Sequence, residues 1–298
     1  MASHPKPSRG GAQGDTVAEA LGFSAEARVL IVNCDDLGLH PSVNAAVLEA
    51  VREGVASSTS LMVPAPAAAQ AMELLRKADV PFGIHLTLTR DGPLHRWSPL
   101  SARDDVPSLL DRHGLLHTSA ESAQLLARAR IEEVERELRA QIDTVLRHGL
   151  TPTHLDWHVL ADGGRGDVLE LTVALALEHG LAARVWLDDG RRRARERGLP
   201  VVDHDFVDSF ALPVAGKGER LLRLLRELPA GLSEWAVHPA LGVEPPAAAD
   251  LGWAVRRSDH TFLVSRLTRD IVATEGIVIT DYRRMQQAWS RAGRHPWA

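Results

Sequence analysis

The sequence predicts an α/β fold: a single (β/α) barrel, complete or distorted, with about seven parallel strands. Three observations predict it. Short apolar runs rich in β-branched residues alternate with segments of helical period from residue 28 to residue 280. No repeat, low-complexity block or linker interrupts that alternation. Polar residues fall at the ends of the apolar runs, where parallel α/β folds collect their ligands. A doubly wound open sheet is the alternative architecture.

Each element has its own signal. Residues 28–33 (RVLIVN) read as a buried strand, and 41–53 as the following helix, with Pro41 near its first position and Gly54 as its stop. Strand 57–63, helix 67–78 and strand 82–89 continue a βαβαβ rhythm, which implies parallel pairing through crossover helices. Residues 90–118 are rich in Pro, Gly, Ser and Asp and read as a long loop with little structure, a length often functional in compact domains. Residues 119–148 read as one long helix closed by Gly149. Strand 153–159, helix 167–179 and strand 183–187 follow. Residues 190–198 (GRRRARERG) read as a basic loop or frayed helix. Helix 218–227, strand 233–238, helix 258–274 and strand 276–280 complete the count.

Composition bounds the function. With 298 residues, 45% hydrophobic and 24% charged, the chain can bury a core without staples. A net charge of -5 argues against a general nucleic-acid binder, and no apolar run reaches the roughly 18–20 residues of a membrane span. Cys34 is the single cysteine, so neither an internal disulfide framework nor a Cys-based zinc ribbon is available. Residues 1–27 carry Ser, Gly, Pro and Ala without an apolar export segment. They read as a flexible tail, residues 28–298 as one domain, and the protein as cytoplasmic. A homodimer is expected only on the general prevalence of two-fold dimers.

The chemistry-bearing residues sit on four strand ends. Asp35 and Asp36 follow the first strand, and a turn before Gly38 lets both carboxylates approach one site. His85 lies inside an apolar strand. His154, Asp156 and His158 alternate along another and share a face by its period of two. His238 closes a fourth strand. Singly these have ordinary explanations, such as a helix cap or a satisfied core histidine. Together they suit a divalent metal held by imidazoles and a carboxylate, with a second carboxylate as base and a histidine as acid, for hydrolysis of an amide or ester. Trp157 and Trp186 lie at or beside strand ends and suit either sugar stacking or core packing. Arg184 and Asp188 flank Trp186 and suit substrate binding or a surface role. Asp281 suits the site or a helix cap.

Four motifs, in this order and spacing, carry a resemblance. Residues 30–38 (LIVNCDDLG), 83–89 (GIHLTLT), 152–158 (PTHLDWH) and His238-Pro239 are similar to the YdjC-like family, which includes the ChbG carbohydrate deacetylases. The similarity runs from about Arg28 to Arg284. It implies a distorted barrel and metal-dependent removal of N-acetyl groups from amino sugars. It implies Asp36, His85 and His158 as metal ligands, Asp35 as general base and His238 as general acid, with His154 and Asp156 supporting the metal. A further histidine common after His158 in that family is absent here, and residues 90–118 match nothing in it. Two imidazoles and one carboxylate favour Zn2+ over Mg2+, although the resemblance admits Mg2+ or another divalent ion. The expected partner is a small N-acetylated sugar. Two other readings remain: a different metallohydrolase, such as a phosphoesterase or non-sugar amide deacylase, or a silent sugar-binding protein.

Overall fold

The computed structural model describes residues 16–242 and 251–293. In chain order the strands are β1 (Arg28–Leu37), β2 (Ser58–Leu61), β3 (Phe82–Leu86), β4 (Thr89–Arg90), β5 (His117–Thr118), β6 (His154–Trp157), β7 (Ala182–Ala183), β8 (Val207–Asp208), β9 (Gly231–Val237) and β10 (Val278–Thr280). The α-helices are α1 (Val17–Ala20), α2 (Pro41–Glu53), α3 (Ala68–Lys77), α4 (Ser122–Arg128), α5 (Ile131–Arg147), α6 (Gly166–Glu178), α7 (Asp188–Glu196), α8 (Lys217–Arg226), α9 (Leu251–Leu263), α10 (Arg266–Thr274) and α11 (Tyr282–Ala292). None of the described helices is long and apolar enough to cross a membrane.

Seven strands pair in the order β7-β6-β3-β2-β1-β9-β8, every neighbour parallel. β1 pairs with β9 from Arg28 to Cys34. Its other edge is shared, by β10 along Val29, Leu30 and Ile31 and by β2 from Asn33 onward. The sheet is rolled, as two contacts prove. At roughly 4.8 Å per strand, β6 and β1 would lie about 14 Å apart in a flat sheet, and β7 and β9 about 24 Å. Yet His158, next after β6, comes within 3.2 Å of Asp36 on β1. Arg184, next after β7, reaches Glu234 on β9 at 2.8 Å. The architecture is therefore a curled, incomplete barrel of parallel strands, as the alternation of elements predicts.

The two faces of the roll differ. Leu30, Val32, Ile84, Leu155 and Val237 are buried in an apolar core. The opposite face is polar: Asn33, Asp35, Ser58, Ser60, His85, His154, Asp156 and Glu234 are all buried there. Many of them bond one another. Ser58 donates to Asn33 Oδ1 at 2.6 Å, and Asn33 Nδ2 donates to Asp35 at 2.7 Å and to Ser60 at 3.1 Å. Hydrogen bonds and the ion pairs of Arg184 take the place of apolar filling there, so the alternating strands carry His, Asp and Ser where a barrel usually carries Val or Leu.

Several local expectations need correction. The 119–148 helix is two, α4 and α5, broken where Arg130 turns extended. Its N–H donates to Ser108 Oγ, while the Ser108 N–H donates to Glu133, so a docked loop breaks the helix without Gly or Pro. The 258–274 helix is likewise two, α9 and α10, divided at the extended Ser265. Residues 188–196 form a regular helix, α7, its arginines paired with Asp188, Asp189 and Glu196. Residues 90–118 are ordered: β4 and β5 pair, and Arg90 bonds the backbone of Leu116 and the carboxylate of Asp111. The flexible-tail expectation fails from Thr16 onward, since Thr16 caps α1 in a capping box and Ala18 is fully buried; residues 1–15 lie outside the described residues. α11 was not anticipated, and it buries Tyr282 and Trp289.

Gly83 is demanded by close approach. A Cβ on Gly83 would sit 2.5 Å from the His154 ring. That ring is stacked on Tyr282, centroids 3.7 Å apart, and its Nδ1 meets Thr153 Oγ1 at 2.9 Å, so it has nowhere to move. Gly83→Ala is expected to cost about 1–3 kcal/mol, the usual range for overpacking, and to lower the thermal unfolding midpoint. An unchanged midpoint would show that the ring can shift.

Candidate metal centre

Neighbouring residues in a strand point to opposite faces, so Asp35 and Asp36 should not share a site. They do, because the backbone departs from the strand. Asp36 adopts φ +68, and the β1–β2 register shifts between Cys34 and Leu37. The bulge turns the second carboxylate back toward the rim. A left-handed non-glycine residue is a strained feature, held here by the contacts of its side chain.

Those contacts define the centre. Asp36 Oδ1 lies 3.3 Å from His85 Nε2 and 3.2 Å from His158 Nδ1. Its Oδ2 accepts from Arg256 of α9 at 2.6 Å. The far nitrogen of each imidazole also meets a carboxylate: His85 Nδ1 lies 2.9 Å from Asp156 Oδ1, and His158 Nε2 lies 2.8 Å from Asp91 Oδ1. Burial pushes the His85 imidazole down, but the charge of Asp156 and the hydrogen bonds to Asp156 and Asp36 overcome it and raise it to about 10. Burial likewise opposes His158, and Asp91 and Asp36 raise it to about 9. Burial works to raise Asp36, yet Arg256 and the two histidines hold it well below the carboxylate range. The three buried donor atoms converge with carboxylates around both imidazoles, an arrangement that could hold a divalent cation, whose binding would displace the imidazole protons. The set of two imidazoles and one carboxylate, each imidazole backed by a further carboxylate, fits such an ion.

Asp35 is arranged differently. Arg184 grips it bidentately at 2.8 and 2.9 Å, and Asn33 donates to its Oδ1. Burial raises the carboxyl, but the Arg184 charge and then His85 outweigh burial and keep it low. Asp35 Oδ2 also lies 3.9 Å from His238 Nε2. A second possible cation group, Asp35, His85 and Asp156, has its carboxylates already bridged by the Arg184 guanidinium, 2.9 Å from Asp156 Oδ2.

The site opens into a cavity of about 920 Å3 whose walls include Trp186, Phe210 and Trp253. Asp35, Asp36, His85, His158, Arg184 and His238 all border it. The supporting sequence candidates take different places around it. His154 is fully buried beneath the centre against Tyr282, 3.8 Å from Asp156 Oδ2. Trp157 touches the cavity wall, but its indole N–H donates to Thr172 of α6. Arg184, a candidate for substrate contact or for supporting the site, borders the cavity and is buried among Asp35, Asp156 and Glu234, which excludes only the surface role. Asp281 caps α11 by accepting from the Arg283 N–H. Sequence reasoning missed Asp91, Arg256, Glu234 and Tyr282. Asp91 stands five residues past the end of a histidine-bearing strand, a signal that could have been followed; Arg256 lies in a helix that gives none.

The chain is similar in sequence and fold to known proteins. A protein-family model described as "YdjC-like protein" matches residues 29–274. A carbohydrate deacetylase from Geobacillus stearothermophilus is 32% identical over 262 residues, spanning 86% of this chain and 97% of that protein. A chitooligosaccharide deacetylase from Serratia marcescens is 32% identical over 221 residues, spanning 72% of this chain and 82% of that protein. A crystal structure of a putative cellobiose-phosphate cleavage protein from Enterococcus faecalis V583 matches with a TM-score of 0.75 at 26% identity, covering 86% of this chain and 98% of that one. A match over nearly all of the rolled sheet, with relatives aligned almost end to end, makes this chain a member of the YdjC-like family.

Proposed function

We propose that the chain is a metal-dependent hydrolase that removes an N-acetyl group from an amino sugar or a glycoside carrying one. The observation that carries the reading is the convergence of Asp36, His85 and His158 on one point beside Asp35 and His238, in a cavity large enough for a sugar. The names of the relatives, carbohydrate and chitooligosaccharide deacetylases, support the substrate class.

Asp36, His85 and His158 would hold the ion, with the nitrogen and oxygen donors favouring Zn2+ over Mg2+. When bound, such an ion supplies Lewis-acid polarisation of the acetyl carbonyl and a water of lowered pKa. The chain supplies the proton handling. Asp35 stays ionised under Arg184, and its Oδ2 keeps a lone pair toward the cavity to take the proton of the attacking water. His238, across the site, protonates the amine nitrogen as the carbon–nitrogen bond breaks. The products are acetate and the free amino sugar. The aromatic walls at Trp186, Phe210 and Trp253 offer faces for the sugar ring.

The test begins with metal content. Elemental analysis is expected to find about one divalent ion per wild-type chain and to find it lost from His158→Ala after identical loading. A screen of acetylated amino sugars for acetate release then names the substrate. Wild-type protein that retains no ion would overturn the mechanism, and release of phosphate or of a longer acid would move the activity to another hydrolase class.

A further inference from the structure

Behind His238 lies a buried chain of polar groups that the proposed hydrolysis does not explain. The His238 Nδ1 lies 2.9 Å from Ser209 Oγ. Ser209 Oγ donates to Asp259 Oδ2 at 2.6 Å, and the backbone N–H of His238 donates to the same oxygen at 2.9 Å. The other oxygen of Asp259 lies 2.5 Å from Lys217 Nζ, at the start of α8. Ser209 and Asp259 are fully buried and Lys217 is nearly so. Residues 209, 217 and 259 thus meet beneath the imidazole of residue 238.

The direction of each hydrogen bond follows from the donor inventory. Asp259 Oδ2 already accepts the His238 backbone N–H, so it faces Ser209 as an acceptor. Ser209 has one proton, and the short bond to Asp259 uses it. Its oxygen can then face His238 only with a lone pair, so the proton of that contact must sit on Nδ1. We infer that Ser209, held by Asp259 and Lys217, is a positioning residue that fixes the neutral His238 ring with its proton on Nδ1 and so turns an unprotonated Nε2 to the cavity. The tautomer of a histidine is set by the bond its other nitrogen makes.

Two further carboxylates face the ring. Asp35 Oδ2 is 3.9 Å from Nε2, and Asp208 Oδ1 is 4.0 Å from Nδ1, too far for a hydrogen bond. The Phe210 ring packs edge-on at 4.5 Å. Nε2 is therefore the atom that takes up a proton. That proton passes to the leaving nitrogen, which keeps the electron pair of the broken carbon–nitrogen bond, and His238 returns to neutral with its proton still on Nδ1. The proton that Asp35 took from water balances the cycle by recharging Nε2. This consequence rests on the proposed hydrolysis; the tautomer does not.

Nitrogen-15 NMR of the full chain with labelled histidine tests the arrangement. The chain has 14 histidines, and the His238 signals are those absent from His238→Gln. Wild type is expected to show neutral His238 protonated at Nδ1, and Ser209→Ala to lose that preference. Ser209→Thr, which keeps the hydroxyl, and Asp208→Asn, which leaves Ser209 untouched, are expected to retain it. In acetate release, Ser209→Ala is expected to lower kcat about 10- to 100-fold with little change in KM, part of the ~10²–10⁴ that a positioned acid supplies. A wild-type ring protonated at Nε2 overturns the inference, as does an Nδ1 proton that persists in Ser209→Ala. Should Ser209→Ala not fold, the wild-type and Ser209→Thr spectra decide. The expected tautomers in a protein that releases no acetate would instead count against the proposed hydrolysis.

Discussion

Asp35→Asn is expected to lower acetate release by about 10²–10⁴-fold while leaving the metal content of the protein unchanged. The reasoning is geometric. Asp35 is not one of the three groups that converge at Asp36, His85 and His158, and its oxygens are committed to Asn33 and Arg184 apart from the lone pair of Oδ2 that faces His238. An amide at that position keeps the size of the side chain and removes the base. It also sets an N–H against the guanidinium or against the Asn33 amide, so a modest loss of stability is expected alongside. Elemental analysis and turnover on the same preparation separate the outcomes. Near wild-type turnover would remove Asp35 from the role of base. Loss of the ion would show that it uses the alternative cluster of Asp35, His85 and Asp156.

Much of this centre is legible in the sequence because strand period and chain order are local properties. The polar positions of residues 83–85 and 154–158 fall on one face by counting alone, and an apolar run ending in Asn33, Asp35 and Asp36 marks a rim. The convergence itself is also foreseeable, since parallel strands deliver their carboxyl ends to one side. What the sequence does not display is which partner each charge chooses. Arg184 reads like any arginine beside a tryptophan, and only the roll of the sheet brings it to Glu234 on a strand five places away. Arg256 and Asp259 sit on α9 among ordinary helical residues. Breaks of this kind in the helical pattern, at Arg130 and Ser265, come from docking of other segments or from local extension that periodicity does not register. Asp91 lay in a stretch read as a loop, and its role appears only when that loop folds over His158.

The largest loss of stability is expected from Arg184→Leu. Arg184 is buried, and its guanidinium donates to Asp35 twice and to Glu234 once and forms an ion pair with Asp156 at 2.9 Å. Glu234 also accepts from Tyr282 at 2.7 Å, so the cluster is tied to α11. Leucine leaves three carboxylates facing one another without their cation. Breaking one buried pair costs about 3–5 kcal/mol, and whole domains carry only about 5–15 kcal/mol, so the variant should be largely unfolded or unfold far below wild type. Arg184→Lys should lie between, since an ammonium keeps the charge but cannot fork to three acceptors. The pH dependence is diagnostic. In wild type, Asp35 and Asp156 are lowered, so their contribution is present above their unfolded values and lost as pH falls. Burial already raises Glu234 despite Arg184. Without the arginine, all three carboxyls rise, and the sign inverts: stability is retained below about pH 4, the unfolded value, and lost as pH climbs through the raised folded values. Arg184→Leu should therefore be closer to wild type at pH 5 than at pH 8 in denaturant titrations. A variant that folds equally well at both and loses only substrate affinity would return Arg184 to the substrate site and leave the three carboxylates without the organising role assigned here to the guanidinium.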